Sequence, residues 1–523
     1  MRISVLLLGL ALTASSIACS GDSTGVGTGT NPNPTNPTAP TVRPTLPSNY
    51  TATGRAAAGD VAVQLFEWGW ADVARECELR LGPMGYKAAL VSPPQEHITG
   101  GPWWTRYQPV SYSLAQNRSG TRTQFVDMVS RCAAVNVDIY VDAVINHMTA
   151  GSGTGSNGTV YTKYAYPGLY NSGDFHSACG INDWDNPAQV QDCELVGLSD
   201  LATGSASVQQ KIVAYLAELV DLGVRGFRID AAKHIQPVQL DSIVTKLNRA
   251  AEASGDAKPY IFLEIIDMGG SGVRATQYYG VGFQGGSGSD VSEFKFRGIG
   301  DKFQGVGGQK VAELASFSPG IWGLIPTDKG MSFIQNHDTQ RTGGLRWSDG
   351  DMARIANVFM LAEPYGYPMI MSGYSFNATS GAGRDAGPPP NTGTPAGQTC
   401  TTDLATAPVG VWLCEHRDPW LAQMMRFRKA VISTARTNNW DNGSHAVAFS
   451  RGNMGFVIIN NATAPITVTI QTGLAAGTYC DLLSGGEVAS ACVGTSHVVA
   501  TDGRSEVTVG ARRAVVLLQG DQL

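Results

Sequence analysis

The sequence predicts an α/β protein whose main body is a (β/α)8 barrel, the TIM-barrel architecture. Short apolar runs alternate with amphipathic stretches from residue 58 to residue 435, which is the pattern of parallel strands joined by helices. Acidic residues close several of these runs, and a barrel carries its functional groups at the carboxyl ends of its strands. From about residue 436 apolar and polar residues alternate between glycine-rich turns, which predicts a separate all-β domain.

The barrel elements are expected in regular order along the chain. Strands are predicted at 61–68, 86–93, 138–145, 224–230, 260–266, 293–297, 331–338 and 367–372. Amphipathic helices are predicted between them, for example at 72–81, 121–135 and 208–222. We therefore assign residues 58–147 and 208–435 to the barrel.

The remaining segments are predicted to form two further units. A stretch as long as 148–207 needs its own organisation inside a compact domain, so we expect an inserted loop-rich domain after strand 3, held by a disulfide and a metal. Residues 436–523 are expected to form a C-terminal Greek-key β-sandwich.

The N-terminus has the composition of an export signal. Arg2 precedes an apolar core at 5–12 that is too short to span a bilayer, so residues 1–18 are predicted to be a signal peptide. Its end has two interpretations: a lipoprotein box that leads to acylation of Cys19, or ordinary cleavage after Ala18. Residues 19–57, rich in Gly, Thr and Pro, are predicted to be a disordered tether. We expect either a cell-surface or outer-membrane lipoprotein or a freely secreted extracellular protein.

Composition sets further limits. A chain of 523 residues is too long for one core, so two or three domains are expected. The formal net charge of -6 gives no indication of a nucleic-acid partner. We expect a monomer.

The cysteines favour disulfides over a zinc site. Removing Cys19 from the nine leaves an even eight, and no CxxC pair is present. Many connectivities are possible from the sequence alone. We propose the local pairs Cys77–Cys132, Cys179–Cys193, Cys400–Cys414 and Cys480–Cys492.

Three acids, Asp230, Glu264 and Asp338, stand at the ends of apolar runs. One such acid alone is more typical of a salt bridge or a helix cap. Three in chain order, with Arg228, His234, His337 and Arg341 nearby, indicate a site above the barrel. A pair of carboxyl groups is the minimum equipment for cleaving a glycosidic bond.

Four blocks carry a resemblance to a known family. They read Asp-Ala-Val-Ile-Asn-His at 142–147, Gly-Phe-Arg-Ile-Asp-Ala-Ala-Lys-His at 226–234, Glu-Ile-Ile-Asp at 264–267 and Phe-Ile-Gln-Asn-His-Asp at 333–338. In this order the chain resembles the alpha-amylase family of retaining glycoside hydrolases, of the animal and actinobacterial type. The stretches 103–109 and 451–456 are also similar to that subgroup.

The resemblance implies catalytic roles. Asp230 is expected to be the nucleophile, Glu264 the general acid and then base, and Asp338 the group that binds the distorted sugar. Arg228 lies two residues before Asp230 on the same strand face, where it can hold that carboxylate ionised. The substrate-binding residues implied in the same way are Trp103, Trp104, Tyr107, Gln108, His147, Arg228, Lys233, His234, Ile266 and His337.

The resemblance also implies a structural calcium ion. Its expected ligands are Asn146, Asp200 and the backbone carbonyls of Gln191 and His234, oxygen donors of the hardness that calcium prefers. Animal-type relatives also bind chloride, but Met369 stands where this family has a basic ligand. We therefore expect activity without chloride, because a buried anion would lack its second cation.

The function implied is that of an alpha-amylase, which hydrolyses internal α-1,4-glucosidic bonds of starch, glycogen and maltooligosaccharides. A transglycosylase or a maltooligosaccharide-forming relative is the alternative on the same fold. A non-catalytic glucan-binding protein is the alternative from another class, and it would be expected to lack the three acids that this chain retains.

Overall fold

A computed structural model describes residues 54–282, 288–390, 399–401 and 403–523. The predicted signal peptide, Cys19 and most of the predicted tether lie outside the described residues. None of the helices within these ranges is both long and apolar enough to cross a membrane.

The centre of the molecule is a closed barrel of eight parallel strands, as the sequence predicts. The strands are β1 Ala62–Leu65, β2 Ala88–Val91, β3 Asp138–Ala143, β4 Gly226–Ile229, β5 Tyr260–Leu263, β6 Asp290–Ser292, β7 Gly330–Ser332 and β8 Tyr367–Ser372. Each pairs with its sequence neighbours, and β8 closes on β1, where Met369 lies opposite Ala62. Apolar and aromatic side chains such as Leu90, Phe262 and Met369 fill the barrel interior, as a packed barrel requires.

Helices surround the barrel. The main ones are α1 Trp70–Glu76, α2 Arg122–Ala134, α3 Ala206–Asp221, α4 Pro237–Ser254, α5 Asp351–Ala362 and α6 Pro419–Val431. Further α-helical segments are Gly82–Met84, Pro187–Asp192, Gly298–Gln304, Thr339–Thr342 and Gly381–Asp385. Helix α2 begins with a capping box between Thr121 and Gln124, which satisfies backbone donors at its first turn.

Two of the predicted strands need correction. The prediction of a strand at 293–297 is wrong, because Phe294–Arg297 is a 3-10 turn and the sixth strand is Asp290–Ser292. The Glu293 carboxylate accepts hydrogen bonds from the backbone N–H of Lys295 (2.9 Å) and Ile325 (2.7 Å), which curls the chain there. The seventh strand ends at Ser332, so the residues up to Asp338 form a loop above the barrel.

The C-terminal residues form the predicted all-β unit. Its strands are β9 Arg436–Asp441, β10 Ala446–Arg451, β11 Gly455–Asn460, β12 Ile466–Gln471, β13 Gly477–Cys480, β14 Glu487–Val488, β15 Ala491–Cys492, β16 Ser496–Val499, β17 Arg504–Val509 and β18 Arg513–Leu518. A four-stranded sheet in the order β9-β10-β11-β18 packs with the pairs β12–β17 and β13–β16 around a separate apolar core. The exact domain boundaries stay a prediction.

The residues between β3 and α3 contain little regular structure, as expected for the insertion. They hold the short pair Gly153–Thr154 and Val160–Tyr161 and the helix Pro187–Asp192. All four predicted disulfides are confirmed, with Cα–Cα distances of 5.1, 4.9, 5.6 and 5.1 Å in chain order.

Candidate active site

Backbone hydrogen bonds between neighbouring barrel strands fix two of the three acids, Asp230 and Glu264. The backbone N–H of Asp230 donates to Ala143 O, and that of Glu264 donates to Ile229 O, both at 3.0 Å. Each acid therefore stands one residue beyond the end of its strand, still held by the neighbouring strand. Their side chains meet at the carboxyl end of the barrel, the place where barrels carry their sites.

The third acid is held by a local turn. The side-chain oxygen of Asn336 accepts from the backbone N–H of Asp338 (3.0 Å) and of Thr339 (2.8 Å). An Asn side chain that binds the backbone two residues on fixes the chain without a sheet or helix. Asp338 is thus positioned by the loop that follows β7.

Arg228 is the centre of the acid cluster. Its Nη1 lies 2.6 Å from Asp142 Oδ1 and 3.0 Å from Asp230 Oδ1. Its Nη2 lies 2.8 Å from Glu264 Oε1, a close contact that is not aligned as a hydrogen bond. Asp142 also accepts from the Tyr107 hydroxyl at 2.9 Å, and the second Glu264 oxygen accepts from the Ala231 N–H at 2.8 Å. One buried guanidinium therefore gathers three carboxyl groups.

Burial and mutual charge control the ionisation of these acids. Burial raises the pKa of Asp230 above its ordinary value, the adjacent Glu264 carboxyl raises it further, and Arg228 lowers it. Burial raises the pKa of Asp142 to about 6, against the opposing effect of Arg228. One guanidinium cannot neutralise three buried carboxylates, which favours a proton held within the cluster. A carboxylate beside a protonated carboxyl is the pair that acid-assisted displacement needs.

An aromatic wall stands beside Asp338. The Tyr107 and His337 rings are stacked with centroids 5.4 Å apart, and Trp103 meets both edge-on at 5.7 and 5.6 Å. Phe66 stacks on the other side of His337 at 4.7 Å. Trp103 is only partly buried, so part of its side chain is exposed to solvent. We call Phe66, Trp103, Tyr107 and His337 the aromatic wall.

The predicted Trp104 lies next to this wall in sequence but is not one of its rings. It is partly buried, and its indole Nε1 has no hydrogen-bond partner in the described structure. The Gln108 side chain, predicted to contact the sugar, is already engaged within the protein, because its oxygen accepts a hydrogen bond from the Ala150 N–H at 3.1 Å.

The two histidines of the site are neutral. Burial lowers the pKa of His147 to about 4, and its Nε2 donates to the Tyr107 carbonyl at 2.9 Å. Burial also lowers the pKa of His337 well below its ordinary value, with Arg228 and Arg341 adding to the effect. Gln64 Nε2 lies 3.0 Å from His337 Nδ1, and with that amide donating, the ring proton sits on Nε2, 3.4 Å from Asp338 Oδ2.

The residues that follow β4 and β5 line another side of the site. Lys233 Nζ donates to the Ile266 carbonyl at 2.9 Å and lies 5.8 Å from the Trp184 ring centroid. Burial lowers the pKa of Lys233, while the Ile266 side chain is 45% exposed and free to meet a ligand. His234 turns its Nδ1 to the Val190 carbonyl at 2.7 Å, so its imidazole ties the insertion to the barrel.

The residues expected to bind calcium are close to one another. Asn146 Nδ2 donates to Asp200 Oδ1 at 3.2 Å, and His147 and Asp200 form a backbone bridge. Gln191 lies in the helix Pro187–Asp192, which contacts His234 through the bond just described, and its side chain donates to Tyr278 at 2.9 Å. No group of three or more His, Cys, Asp or Glu side chains in the described ranges is arranged for a metal. The expected set has one carboxylate, one amide and two carbonyls, a donor chemistry that fits a hard cation such as calcium.

Sequence reasoning missed Gln64 and Phe66, and it gave Arg341 no role. Gln64 interrupts the apolar run Ala62-Val63-Gln64-Leu65, and a polar residue inside a barrel strand is a signal that could have found it. Phe66 and Arg341 carry no such signal, because their roles depend on rings contributed by distant loops.

Comparison with known proteins agrees with this geometry. The model of the alpha amylase catalytic domain matches residues 84–258, and that of the alpha amylase C-terminal all-beta domain matches residues 437–519. The chain is 40% identical to pancreatic alpha-amylase of Sus scrofa over 477 residues, covering 86% of this chain and 91% of that protein. It is 42% identical to an alpha-amylase of Streptomyces violaceus over 462 residues, covering 88% and 74%.

Solved structures give the same result. Alpha-amylase I of Eisenia fetida superposes with a TM-score of 0.79 at 37% sequence identity, covering 90% of this chain and 98% of that one. A mutant of that protein, solved as a complex with maltohexaose, gives the same TM-score at 36% identity and the same coverage.

Proposed function

The chain belongs to the alpha-amylase family and is a glycoside hydrolase, and from that premise we propose that it cleaves internal α-1,4-glucosidic bonds of starch, glycogen and maltooligosaccharides with retention of configuration. The observation that carries this proposal is the cluster of Asp230 and Glu264 around Arg228, with Asp338 and the aromatic wall beside it. A retaining displacement needs a nucleophile and an acid within about 5–5.5 Å of each other.

In the proposed reaction Asp230 attacks the anomeric carbon while Glu264 protonates the leaving oxygen. Arg228 aims the attacking carboxylate and opposes the rise of its pKa, since its Nη1 lies 3.0 Å from Asp230 Oδ1. Glu264 then takes a proton from the water that breaks the glycosyl–enzyme bond. Asp338 and the neutral His337 hydrogen-bond to the hydroxyls of the distorted sugar, and Trp103 stacks on the adjacent unit.

We propose calcium as a structural cofactor held by Asn146, Asp200 and the carbonyls of Gln191 and His234. The support is the adjacency of Asn146 and Asp200 and the oxygen chemistry of the set. A cation there would join the insertion to the barrel next to the site and share the buried Asp200 carboxylate with His176, whose Nδ1 lies 2.7 Å from Asp200 Oδ2. Chloride is not part of the proposal, because Met369 lies in the apolar barrel interior and supplies no second cation.

We propose that the protein is exported, with a lipid anchor at Cys19 and a tether that lets the barrel reach large glucans. The four disulfides are consistent with an oxidising compartment. Replacing Cys19 with Ser should move the protein from the membrane fraction to the soluble fraction. Unchanged partitioning would favour ordinary secretion.

The test of the function uses soluble starch, calcium and the mature protein beside E264Q. An endo-acting enzyme should lower viscosity well before many reducing ends appear. Loss of the general acid should reduce kcat by about 10²–10⁴-fold. The matched control is D502N, an exposed acid of the C-terminal unit, which should leave kcat unchanged. A parent that releases only short end products at constant viscosity would contradict endo cleavage, and full activity of E264Q would contradict the assigned acid.

A further inference from the structure

Arg341, three residues beyond Asp338, sits in an enclosure of four aromatic rings. Its guanidinium carbon lies 4.3 Å from the ring centroid of Phe376, 4.7 Å from that of Trp103, 5.3 Å from that of Phe66 and 5.7 Å from that of Tyr374. The residue is 6% exposed. Ring faces attract a cation most strongly when it is shielded from water, so this arginine is held on several sides.

Each nitrogen of the same guanidinium also donates a hydrogen bond. Nη1 donates to the His337 carbonyl, Nε donates to the Arg384 carbonyl at 3.1 Å, and Nη2 donates to the Tyr374 hydroxyl at 3.1 Å. These partners are neutral oxygens. The Arg384 carbonyl accepts a second hydrogen bond at 3.1 Å, from the indole Nε1 of Trp103. Arg341 and Trp103 therefore donate to the same carbonyl oxygen.

These contacts join four loops at the carboxyl end of the barrel. Phe66 follows β1, Trp103 lies in the loop after β2, His337 follows β7, and Tyr374 follows β8. Two members of the aromatic wall, Trp103 and Phe66, lie directly against the guanidinium, and a third, His337, gives it a carbonyl. A shift of Arg341 would therefore move the surface that meets the sugar.

Charge adds a second effect. Burial raises the pKa of Asp338, while Arg228 and Arg341 lower it and so favour the ionised carboxylate. Arg341 acts in the same direction on the pKa of His337, which stays neutral. The cation therefore supports the protonation states that the proposed reaction needs on both residues.

We propose that Arg341 is a positioning residue for the reaction: its planar fork fixes Trp103 and His337 against each other, and its positive charge stands one turn of the chain from Asp338. The inference rests on the proposed hydrolysis of glucans. A lysine at this position would retain the charge but lose the flat stacking surface and the planar fork of three donor nitrogens. The two contributions can thus be separated by substitution.

The test compares R341K and R341Q with the parent on maltoheptaose in calcium, well below the unfolding temperature of each variant. We expect R341K to lose about 10- to 100-fold in kcat with KM changed by less than about threefold, because a displacement near 1 Å costs activity on that scale. R341Q should show the same loss and also move the acidic limb of the kcat/KM profile to higher pH. R341K should leave that limb in place.

R436K is the matched control for a purely structural effect. Arg436 is also buried against an aromatic ring, 4.2 Å from the Phe449 centroid, but it lies at the junction with the C-terminal unit. R436K should lower the melting temperature and leave kcat within about twofold of the parent. Y374F, which keeps the ring and removes one acceptor of Arg341, should fold and lose about three- to tenfold in kcat.

The outcomes separate the two proposals. An active parent with R341K and Y374F at parental kcat would overturn the role of Arg341 and leave the hydrolase intact. Equal losses in R341K and R436K would also overturn it, because stability alone would then explain both. A parent without activity on maltoheptaose would overturn the proposed function and this inference together.

Discussion

Glu415 is a buried acid behind the loop that carries Asp338, and it predicts a pH-dependent loss of stability. One carboxyl oxygen accepts from the side-chain amides of Gln335 (3.3 Å) and Gln340 (3.2 Å), and the other accepts from the Gly373 N–H at 3.1 Å. Burial raises the pKa of Glu415 to about 8, and these hydrogen bonds oppose the rise only in part. The folded protein therefore favours the protonated acid.

The sign and size of the effect follow from the two pKa values. Below pH 4.5, the ordinary value, both folded and unfolded chains carry the proton and there is no penalty. Between 4.5 and about 8 the unfolded chain releases the proton and the folded chain keeps it, so stability falls by about 1.4 kcal/mol per pH unit. The whole interval corresponds to about 5 kcal/mol as an order of magnitude.

The assay is urea unfolding of the parent and E415Q at pH 5, 6, 7 and 8, at fixed free calcium. When the two unfolding free energies are subtracted, the pH-dependent contributions of all other titrating groups cancel. We expect it to move by about 1.4 kcal/mol per pH unit in favour of E415Q. D502N serves as the exposed control and should show a constant difference. A difference between parent and E415Q that does not change with pH would refute the reasoning.

Three further predictions concern the anion, the metal and the disulfides. Rates on starch should be equal in chloride and in chloride-free acetate, since Met369 offers no cation, and strong activation by chloride would contradict this. D200N should lower calcium affinity and should lower the melting temperature more in calcium than in EDTA, where only the contact of Asp200 with His176 is lost; equal shifts in both buffers would argue against a metal ligand. Replacing Cys77 and Cys132 with Ser should cost about 4 kcal/mol of unfolding free energy in a urea titration, because the bridge closes a 55-residue separation, and a loss below about 1 kcal/mol would contradict it.

Much of the fold was predictable because most barrel strands correspond to short apolar runs in the sequence. The sixth strand is the instructive exception. Asp290-Val291-Ser292 contains one apolar residue, whereas Phe294-Lys295-Phe296-Arg297 alternates as a half-buried strand would. Pairing with β5 and β7 makes the first segment a strand, and the hydrogen bonds of Glu293 turn the second into a helix. Such tertiary effects leave no local signal in the sequence.

The candidate site was predictable where its residues share short blocks. Arg228 and Asp230 lie on one strand face, so their contact follows from the alternation of a strand. The role of Arg341 does not follow in this way, because its rings come from positions as far apart as Phe66 and Phe376. For the same reason sequence alone could not show that Trp103, and not Trp104, joins the ring cluster beside His337.

The most direct test of the account is proton NMR of maltoheptaose or soluble starch during digestion by the mature protein, beside D230N. A retaining mechanism with Asp230 as the nucleophile predicts that α-anomers appear first and that D230N produces none. Early β-anomers would contradict retention. α-Anomers formed by D230N at the parental rate would contradict the assignment of Asp230 as the nucleophile.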